Sequence, residues 1–368
     1  MSKINFVDLK RQYESIKAEI DPAVIDSIAS TQYILGEDVG RFETEFAAFC
    51  GVEHAVGVAS GTAALEMAYE AVGIGPGDEV LAPANTFIAT VLPLFRLGAR
   101  AVLVDCDEYG QIDVEQAARA VTPKTKAIAG VDLFGHPCDA DGIQALCDEH
   151  GLVFVEDAAQ AHGAEYKGRS CGSLAKIAAF SFYPGKNLGA YGDAGGIVTN
   201  DDELAARIKI LRDLGQRQKY EHVAIGANER LDTLQAAVLR VKLRHLRAWN
   251  DARRAHAAEY ERLLAGTVRT PRTAEWANPV WHLYVIRAEN RDEVRDALAD
   301  QDIASGLHYP LPLHLQPALA RLGHSKGDFP VTEEWARTLL SLPMFAELRA
   351  DEIERVADVV NRVGKAPA

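Results

Sequence analysis

The chain has 368 residues, a length that exceeds one typical hydrophobic core and predicts a large domain with a smaller one. Its formal charge is -14, and its basic residues form no dense run, which argues against a nucleic-acid-binding surface. No apolar stretch is long enough to span a membrane, the N-terminus is charged from Lys3 onward, and the five cysteines form no C-x-x-C pair, so we expect a soluble cytoplasmic protein without disulfides or a metal site.

Short apolar and β-branched runs predict seven strands in the first part of the chain. They are AVGVAS at 55, EVLAP at 79, AVLVD at 101, AIAGVD at 127, LVFVED at 152, IAAFSF at 177 and GGIVT at 195. Helix-length segments separate most of these runs, which is typical of parallel strands joined by crossovers. The last two runs are closer together and favour an antiparallel pair. The sequence therefore predicts an α/β fold with a mainly parallel sheet.

Apolar residues at helical spacing predict two amphipathic helices after the last strand. The first begins near Asp202, and the second is long, from about Asp232 to Leu263. Further along, HLYVIRA favours a strand and DEVRDALADQ a helix, which together indicate a smaller α/β unit. We place the domain boundary near residue 248, with a large domain over 1–247, including the N-terminal segment, and a small domain over 248–368.

Ligands of open parallel sheets bind at the carboxyl ends of the strands, and two strand ends carry suitable groups. Gly61 and Thr62 follow the first strand and open a helix, where free N–H groups suit a phosphate; an ordinary helix cap is the alternative. Asp157 ends the fifth run, and a buried carboxylate needs a cation or hydrogen-bond donors. A protonated pyridine nitrogen would be a suitable partner, and a cap on the next helix is again the alternative.

A lysine lies between the last two predicted strands. Lys186 has glycines on both sides in SFYPGKNLGAYGDAG, in a connection too compact for an ordinary surface loop. Desolvation there would lower the pKa of its amine and favour a Schiff base with an aldehyde. The alternative is an exposed lysine, as most lysines are.

Taken together, the motifs resemble the DegT/DnrJ/EryC1/StrS sugar aminotransferases, within fold type I of the enzymes that use pyridoxal 5'-phosphate (PLP). The motifs that carry the resemblance are SGTAAL, PANTFIAT, VEDAAQAHGA, SFYPGKNLGAYGDAG and NERLDTLQAA, in this order. The resemblance runs over nearly the whole chain, from FVDLKRQY to LSLPMF. It implies a large PLP-binding domain with the seven-stranded sheet and a smaller C-terminal domain.

The resemblance also implies how the cofactor ring is held. Lys186 would carry PLP as a Schiff base and act as the acid-base group, with pyridoxamine phosphate formed during turnover. Asp157 would pair with the pyridinium nitrogen, and Gln160 would contact the phenolic oxygen. Phe87 would stack on the ring, which suits an aromatic face because stacking demands no hydrogen bonds.

The phosphate contacts are implied in the same way. Gly61, Thr62 and Ser181 would hold the phosphate within one subunit. Asn228 would reach the phosphate of the neighbouring subunit, so the resemblance implies a homodimer whose active sites are shared across the interface.

The substrates implied are glutamate, which would become 2-oxoglutarate, and a keto nucleotide sugar. His308 and Tyr309 in GLHYPLPLHLQPA are similar to the set that aminates C3 of dTDP-3-keto-6-deoxyhexoses, and Tyr183 would lie beside the sugar. A structural turn is the alternative reading of that motif. A lysine at position 186 argues against the dehydratases of the family, which have a histidine there.

Three other functions remain open from the sequence. They are a C4 aminotransferase of a 4-keto nucleotide sugar, an aminotransferase of keto-inositols and a non-catalytic PLP-binding regulatory protein. The segment VDLFGHP has Asp132 where the family more often has a histidine, a departure near the expected substrate position.

Overall fold

The computed structural model describes residues 3–367, in which eleven α-helices and fourteen β-strands are joined by short loops and four 3-10 helices. The α-helices are α1 (Leu9–Ala29), α2 (Glu37–Cys50), α3 (Gly61–Ala71), α4 (Leu92–Arg96), α5 (Val114–Ala120), α6 (Ala140–His150), α7 (Asp202–Leu211), α8 (Thr233–Leu264), α9 (Arg291–Ala299), α10 (Pro330–Thr338) and α11 (Ala350–Val363). The 3-10 helices are Ile88–Thr90, Leu133–Gly135, Leu313–Leu315 and Pro317–Leu322.

The strands fall into one large sheet and three small ones. The strands are β1 (His54–Val58), β2 (Glu79–Pro83), β3 (Arg100–Val104), β4 (Thr125–Val131), β5 (Val153–Asp157), β6 (Glu165–Tyr166), β7 (Arg169–Ser170), β8 (Ile177–Ser181), β9 (Gly195–Thr199), β10 (Gln216–Gln218), β11 (Glu221–His222), β12 (Ala277–Asn278), β13 (Tyr284–Arg287) and β14 (Leu339–Leu342). The large sheet has seven strands in the order β1-β9-β8-β5-β4-β2-β3.

The seven predicted strands are the seven strands of this sheet, so the predicted fold class is confirmed. Only β9 runs against the others: it is antiparallel to β1 and to β8, and the remaining pairs are parallel. The predicted antiparallel pairing of the last two runs is therefore also confirmed. Because six of the seven strands point the same way, their carboxyl ends meet at one edge of the sheet.

Hydrophobic clusters cover both faces of the large sheet. Ile128 of β4 packs into a cluster with Phe42 and Phe46 of α2, whereas its neighbours Ala127 and Ala129 pack into the opposite cluster, which includes residues of α3 and α7. This alternation follows from the two-residue period of a strand. Helices on both faces therefore bury the sheet, as the continuous apolar runs predict.

The C-terminal part of the chain forms a third cluster, built from the end of α8, the strands β13 and β14, and the helices α9 and α11. The predicted helices near Asp202 and Asp232 and the predicted strand HLYVIRA correspond to α7, α8 and β13. Helix α8 passes through residue 248 without a break, so the secondary structure itself marks no boundary at that position. The division into domains over 1–247 and 248–368 stays a prediction. Among residues 3–367, no helix is long and apolar enough to cross a membrane.

Candidate active site

A cavity of about 470 Å³ opens where the parallel strands end. Ten of the eleven residues predicted to form the site line it. They are Gly61, Thr62, Phe87, Asp157, Gln160, Ser181, Tyr183, Lys186, His308 and Tyr309. Asn228 does not: it lies exposed on the segment between β11 and α8. Its predicted contact is with another subunit, which a single chain does not test.

Lys186 lies in a tight connection between β8 and β9. Its backbone N–H donates to the carbonyl of Tyr183 at 2.8 Å, and the chain returns to the sheet where the N–H of Ala190 donates to the carbonyl of Phe182 at 2.8 Å. Burial lowers the pKa of the Lys186 amine to about 8, and the negative charge of Asp157 partly opposes that shift. Within residues 3–367 no group hydrogen-bonds this amine, so it faces the cavity ready for an electrophile.

Asp157 ends β5 with its carboxylate buried in the same cavity. The hydroxyl of Thr90 donates to Oδ2 at 2.7 Å, and the backbone N–H of Ala159 donates to Oδ1 at 3.2 Å. Burial raises the pKa of Asp157, while these two hydrogen bonds and the charge of Lys186 lower it. A cationic partner in the cavity would therefore stabilise the ionised form further.

Glu156, the residue before Asp157, belongs to the opposite face of β5 and not to the cavity. Its two carboxyl oxygens accept the backbone N–H groups of Gly172 at 2.6 Å and Leu174 at 3.2 Å. Its ligand atom lies within 4.8 Å of those of Asp132 and Cys171, all three residues being buried. Burial and the nearby carboxylate of Asp132 hold the pKa of Glu156 well above its usual range.

The N-terminus of α3 forms one end of the cavity. The side chain of Ser60 caps the helix by accepting the N–H of Ala63 at 3.1 Å, which leaves the N–H groups of Gly61 and Thr62 in the unpaired first turn. A Cβ at Gly61 would lie 2.5 Å from the Cβ of Ser181, so only glycine lets the Ser181 hydroxyl lie beside this helix end. Free N–H groups, two hydroxyls and a helix N-terminus together suit a phosphate.

Gln160 is held with its amide in a defined orientation. Its Oε1 accepts the backbone N–H of Phe134 at 2.7 Å, and its Nε2 donates to the hydroxyl of Tyr309 at 3.3 Å. Since Oε1 is occupied by an N–H donor, the donating end of the amide faces the cavity. Phe87 lies nearby with its ring 5.5 Å from that of Tyr309 and 51% of its surface exposed, open to stacking.

The remaining wall comes from the C-terminal part of the chain. Nδ1 of His308 lies 2.8 Å from the hydroxyl of Ser341, and burial lowers the pKa of His308 to about 4, so its ring is neutral at neutral pH. Burial raises the pKa of Tyr309 to about 12, so its hydroxyl keeps its proton. Tyr183 is largely exposed at the mouth of the cavity.

Sequence reasoning missed several residues that complete the site. Thr90 lies in the quoted motif PANTFIAT, but its bond to Asp157 joins residues 67 positions apart. Asn187 follows the predicted lysine and hydrogen-bonds Asn250, Val280 and His282. His282 lines the cavity and is the first residue of the predicted strand HLYVIRA, a position that could have drawn attention to it. Phe6 and Val7 of the N-terminal segment also line the cavity.

Comparison with known proteins decides the family. The model of the DegT/DnrJ/EryC1/StrS aminotransferase family matches residues 14–361.

The chain belongs to this family.

Two curated relatives and one solved structure illustrate the match. The chain is 48% identical to a dTDP-3-amino-3,4,6-trideoxy-alpha-D-glucose transaminase of Streptomyces venezuelae, over 97% of this chain and 95% of the relative. It is 45% identical to a pleiotropic regulatory protein of Geobacillus stearothermophilus, over 97% of each. The crystal structure of S. venezuelae DesV in complex with a ketimine intermediate superposes with a TM-score of 0.97 at 48% identity, over 98% of both chains.

These matches confirm the predicted family, the fold type I architecture and an enzyme of the aminotransferase class. In this chain Lys186, Asp157 and the N-terminus of α3 at Gly61 all line one cavity.

We predict that Lys186 titrates near pH 8 in the cofactor-free protein, whereas an ordinary lysine has a pKa of about 10.4. Reductive methylation with formaldehyde, followed by peptide mass spectrometry across a pH series, reports the neutral fraction of this amine. In Asp157→Asn the midpoint should move to lower pH, because the carboxylate is the charge that raises the lysine pKa. A midpoint near pH 10, or a rise in the variant, would contradict this account of the site.

Proposed function

We propose that this protein is a PLP-dependent aminotransferase that moves an amino group from glutamate to C3 of a dTDP-3-keto-6-deoxyhexose. The observation that carries the proposal is the joint presence, in one cavity, of a lysine amine of lowered pKa and a buried carboxylate. The relative of Streptomyces venezuelae, named for a dTDP-3-amino sugar, supports the sugar and the position of the amine.

The residues of the cavity fit PLP at each of its functional groups. The first turn of α3 with Thr62 and Ser181 would hold the phosphate, and the carboxylate of Asp157 would face the pyridine nitrogen. The donating amide of Gln160 would face the phenolic oxygen, and Phe87 would cover the ring. Bound PLP supplies an aldehyde that reacts with amines and a ring that withdraws electrons.

Lys186 has the properties that the proton transfers of this reaction need. Its pKa of about 8 leaves a sizeable neutral fraction at neutral pH, so the amine can take a proton as a base and return it as an acid. Hydrogen bonds from Thr90 and Ala159 hold the carboxyl group of Asp157 in a fixed position.

The sugar side of the proposal depends on neutral groups. His308, Tyr309 and Tyr183 offer hydrogen bonds and ring faces without charge, which suits a hydroxylated sugar ring. Amination at C4 and amination of a keto-inositol would use the same cofactor site. Neither is supported by the relative that is named for its 3-amino sugar.

A regulatory role is the second candidate, because the 45% identical relative of Geobacillus stearothermophilus is named a pleiotropic regulatory protein. A protein that only binds PLP needs the phosphate site but does not need a free amine of lowered pKa beside it. Lys186 and Asp157 therefore favour catalysis over binding alone.

The homodimer is proposed from the surface around Asn228. Tyr220 and Ile225 shortly precede it in the chain and are 81% and 94% exposed, so two large apolar side chains are open to solvent on the single chain. Lys186 is the only lysine or arginine among the described residues that line the cavity, although a nucleotide diphosphate carries negative charge. A second subunit would cover the two apolar side chains and bring Asn228 to its partner's cavity. The cytoplasmic location stays a prediction.

We predict that the PLP-loaded protein converts glutamate and a dTDP-3-keto-6-deoxyhexose into 2-oxoglutarate and a dTDP-3-amino sugar, with the amine placed on C3 by NMR. Lys186→Ala should show no multiple turnover, because both the attachment point and the proton carrier are lost. Lys176→Ala, which removes an exposed lysine outside the cavity, is the matched control and should keep its activity. Amination at C4, or repeated turnover by Lys186→Ala, would overturn the proposal.

A subunit-mixing experiment tests the shared active site. Lys186→Ala and Asn228→Asp should each be inactive alone, the second because a carboxylate repels the phosphate. After 1:1 mixing with subunit exchange, half of the dimers contain one intact site, so we expect about a quarter of the wild-type activity. No recovery, with exchange verified by differently sized tags, would show that Asn228 does not act across the interface.

A further inference from the structure

His282 lies in a segment of unusual backbone geometry at the wall of the cavity. The preceding residue, Trp281, has a φ of 48°, a left-handed conformation that is strained for a bulky side chain. The segment is fixed on both sides, because Val280 donates its N–H to the carbonyl of Gly135 at 2.9 Å and Leu283 to that of Phe134 at 3.3 Å. The backbone therefore holds His282 where its ring reaches the cavity.

Two buried amides determine which nitrogen of His282 carries the proton. One end of the Asn250 amide lies 2.8 Å from the backbone carbonyl oxygen of His162, so that end is the donating nitrogen. The oxygen of the Asn250 amide therefore faces Asn187. One atom of the Asn187 amide lies 2.9 Å from that oxygen and 3.0 Å from the backbone carbonyl of Val280, so it is the donating nitrogen. Backbone carbonyls only accept, so both assignments follow from chemistry alone.

The Asn187 oxygen is therefore the atom that faces His282, at 3.2 Å from Nδ1. An oxygen can only accept, so Nδ1 of His282 must carry the hydrogen. In a neutral imidazole the other nitrogen, Nε2, is then an acceptor with a free lone pair. No group among residues 3–367 hydrogen-bonds Nε2, and the ring lines the cavity.

The ring is neutral under ordinary conditions. Burial lowers the pKa of His282 to well below its usual value, and the charges of Lys186 and Arg253 lower it further, with smaller effects from the rings of His162 and His308. The lone pair on Nε2 is therefore not lost to a proton near neutral pH.

We propose that His282 is a substrate-binding residue whose Nε2 accepts a hydrogen bond from an O–H donor of the sugar. A lone-pair acceptor can bind a hydroxyl but offers no hydrogen bond to a carboxylate, so this contact is available to the hydroxylated substrate and not to the glutamate carboxylates. His282, His308 and Tyr309 all line the cavity and all come from the C-terminal part of the chain. The identity of the sugar rests on the proposed function, whereas the protonation of the ring does not.

The tautomer can be measured without turnover. In the cofactor-free protein labelled with ¹⁵N-histidine, a two-bond ¹H–¹⁵N spectrum assigned with His282→Gln separates Nδ1–H from Nε2–H rings. We expect the Nδ1–H form for His282 at neutral pH. The Nε2–H form or a protonated ring would overturn the proposal, whatever reaction the protein catalyses.

Two isosteric variants test the role of Nε2. In His282→Asn the side-chain nitrogen replaces Nδ1–H and keeps the bond to Asn187, but the acceptor in the cavity is lost. In His282→Gln the amide oxygen replaces Nε2 and restores an acceptor in the cavity. We expect the KM for the keto sugar to rise about tenfold in His282→Asn, the usual effect of one hydrogen bond, and to return to within about threefold of wild type in His282→Gln.

The glutamate half-reaction provides the internal control. Its rate, followed as loss of the visible absorbance of the PLP-loaded protein, should stay within about threefold of wild type in both variants, because the acceptor faces the sugar. An unchanged sugar KM in His282→Asn, or an equal loss in both half-reactions, would overturn the proposed contact. If the wild type aminated no keto sugar at all, the proposed function would fail while the tautomer result would still stand.

Discussion

The site depends on keeping a buried amine and a buried carboxylate in one cavity without letting them form an ion pair. Lys186 and Asp157 influence each other's pKa through their charges, but no salt bridge joins them among the described residues. Desolvating both groups is unfavourable unless something between them interacts with each. A flat cofactor with an aldehyde near one end and a basic ring nitrogen at the other meets that requirement, and the remaining residues of the cavity fit its phosphate and its ring faces.

The sheet topology makes this arrangement possible. Six strands run in one direction, which brings the ends of β1, β2, β5 and β8 to the same edge and with them the α3 N-terminus, Phe87, Asp157 and Ser181. The single reversed strand, β9, returns the chain beside β8, and the connection between them, residues 182–194, carries the lysine. Asn187 then fastens this connection to α8 and to the segment before β13, which links the lysine to the C-terminal wall.

Much of this could be predicted from the sequence because its signals are local. The apolar runs marked all seven strands, and the ends of those runs pointed to Asp157, Lys186 and the turn at Gly61. The supporting contacts are not local: Thr90 binds a carboxylate 67 residues away, and Asn187 meets residues 63 and 93 positions further along. No periodicity reports such pairs, so the roles of Thr90, Asn187 and His282 emerged only from the folded chain. The contact of Asn228 stays a prediction because it belongs to the assembly of two chains.

The proposed reaction is the exchange of an amine between glutamate and C3 of a dTDP-sugar in this cavity. The most direct measurement follows the visible absorbance of the PLP-loaded protein after separate additions of glutamate, a dTDP-3-amino sugar and a dTDP-4-amino sugar. We expect that glutamate and the 3-amino sugar remove the absorbance and that the 4-amino sugar leaves it unchanged. Loss with the 4-amino sugar alone would place the amine at C4, and no loss with either sugar would contradict a nucleotide-sugar aminotransferase.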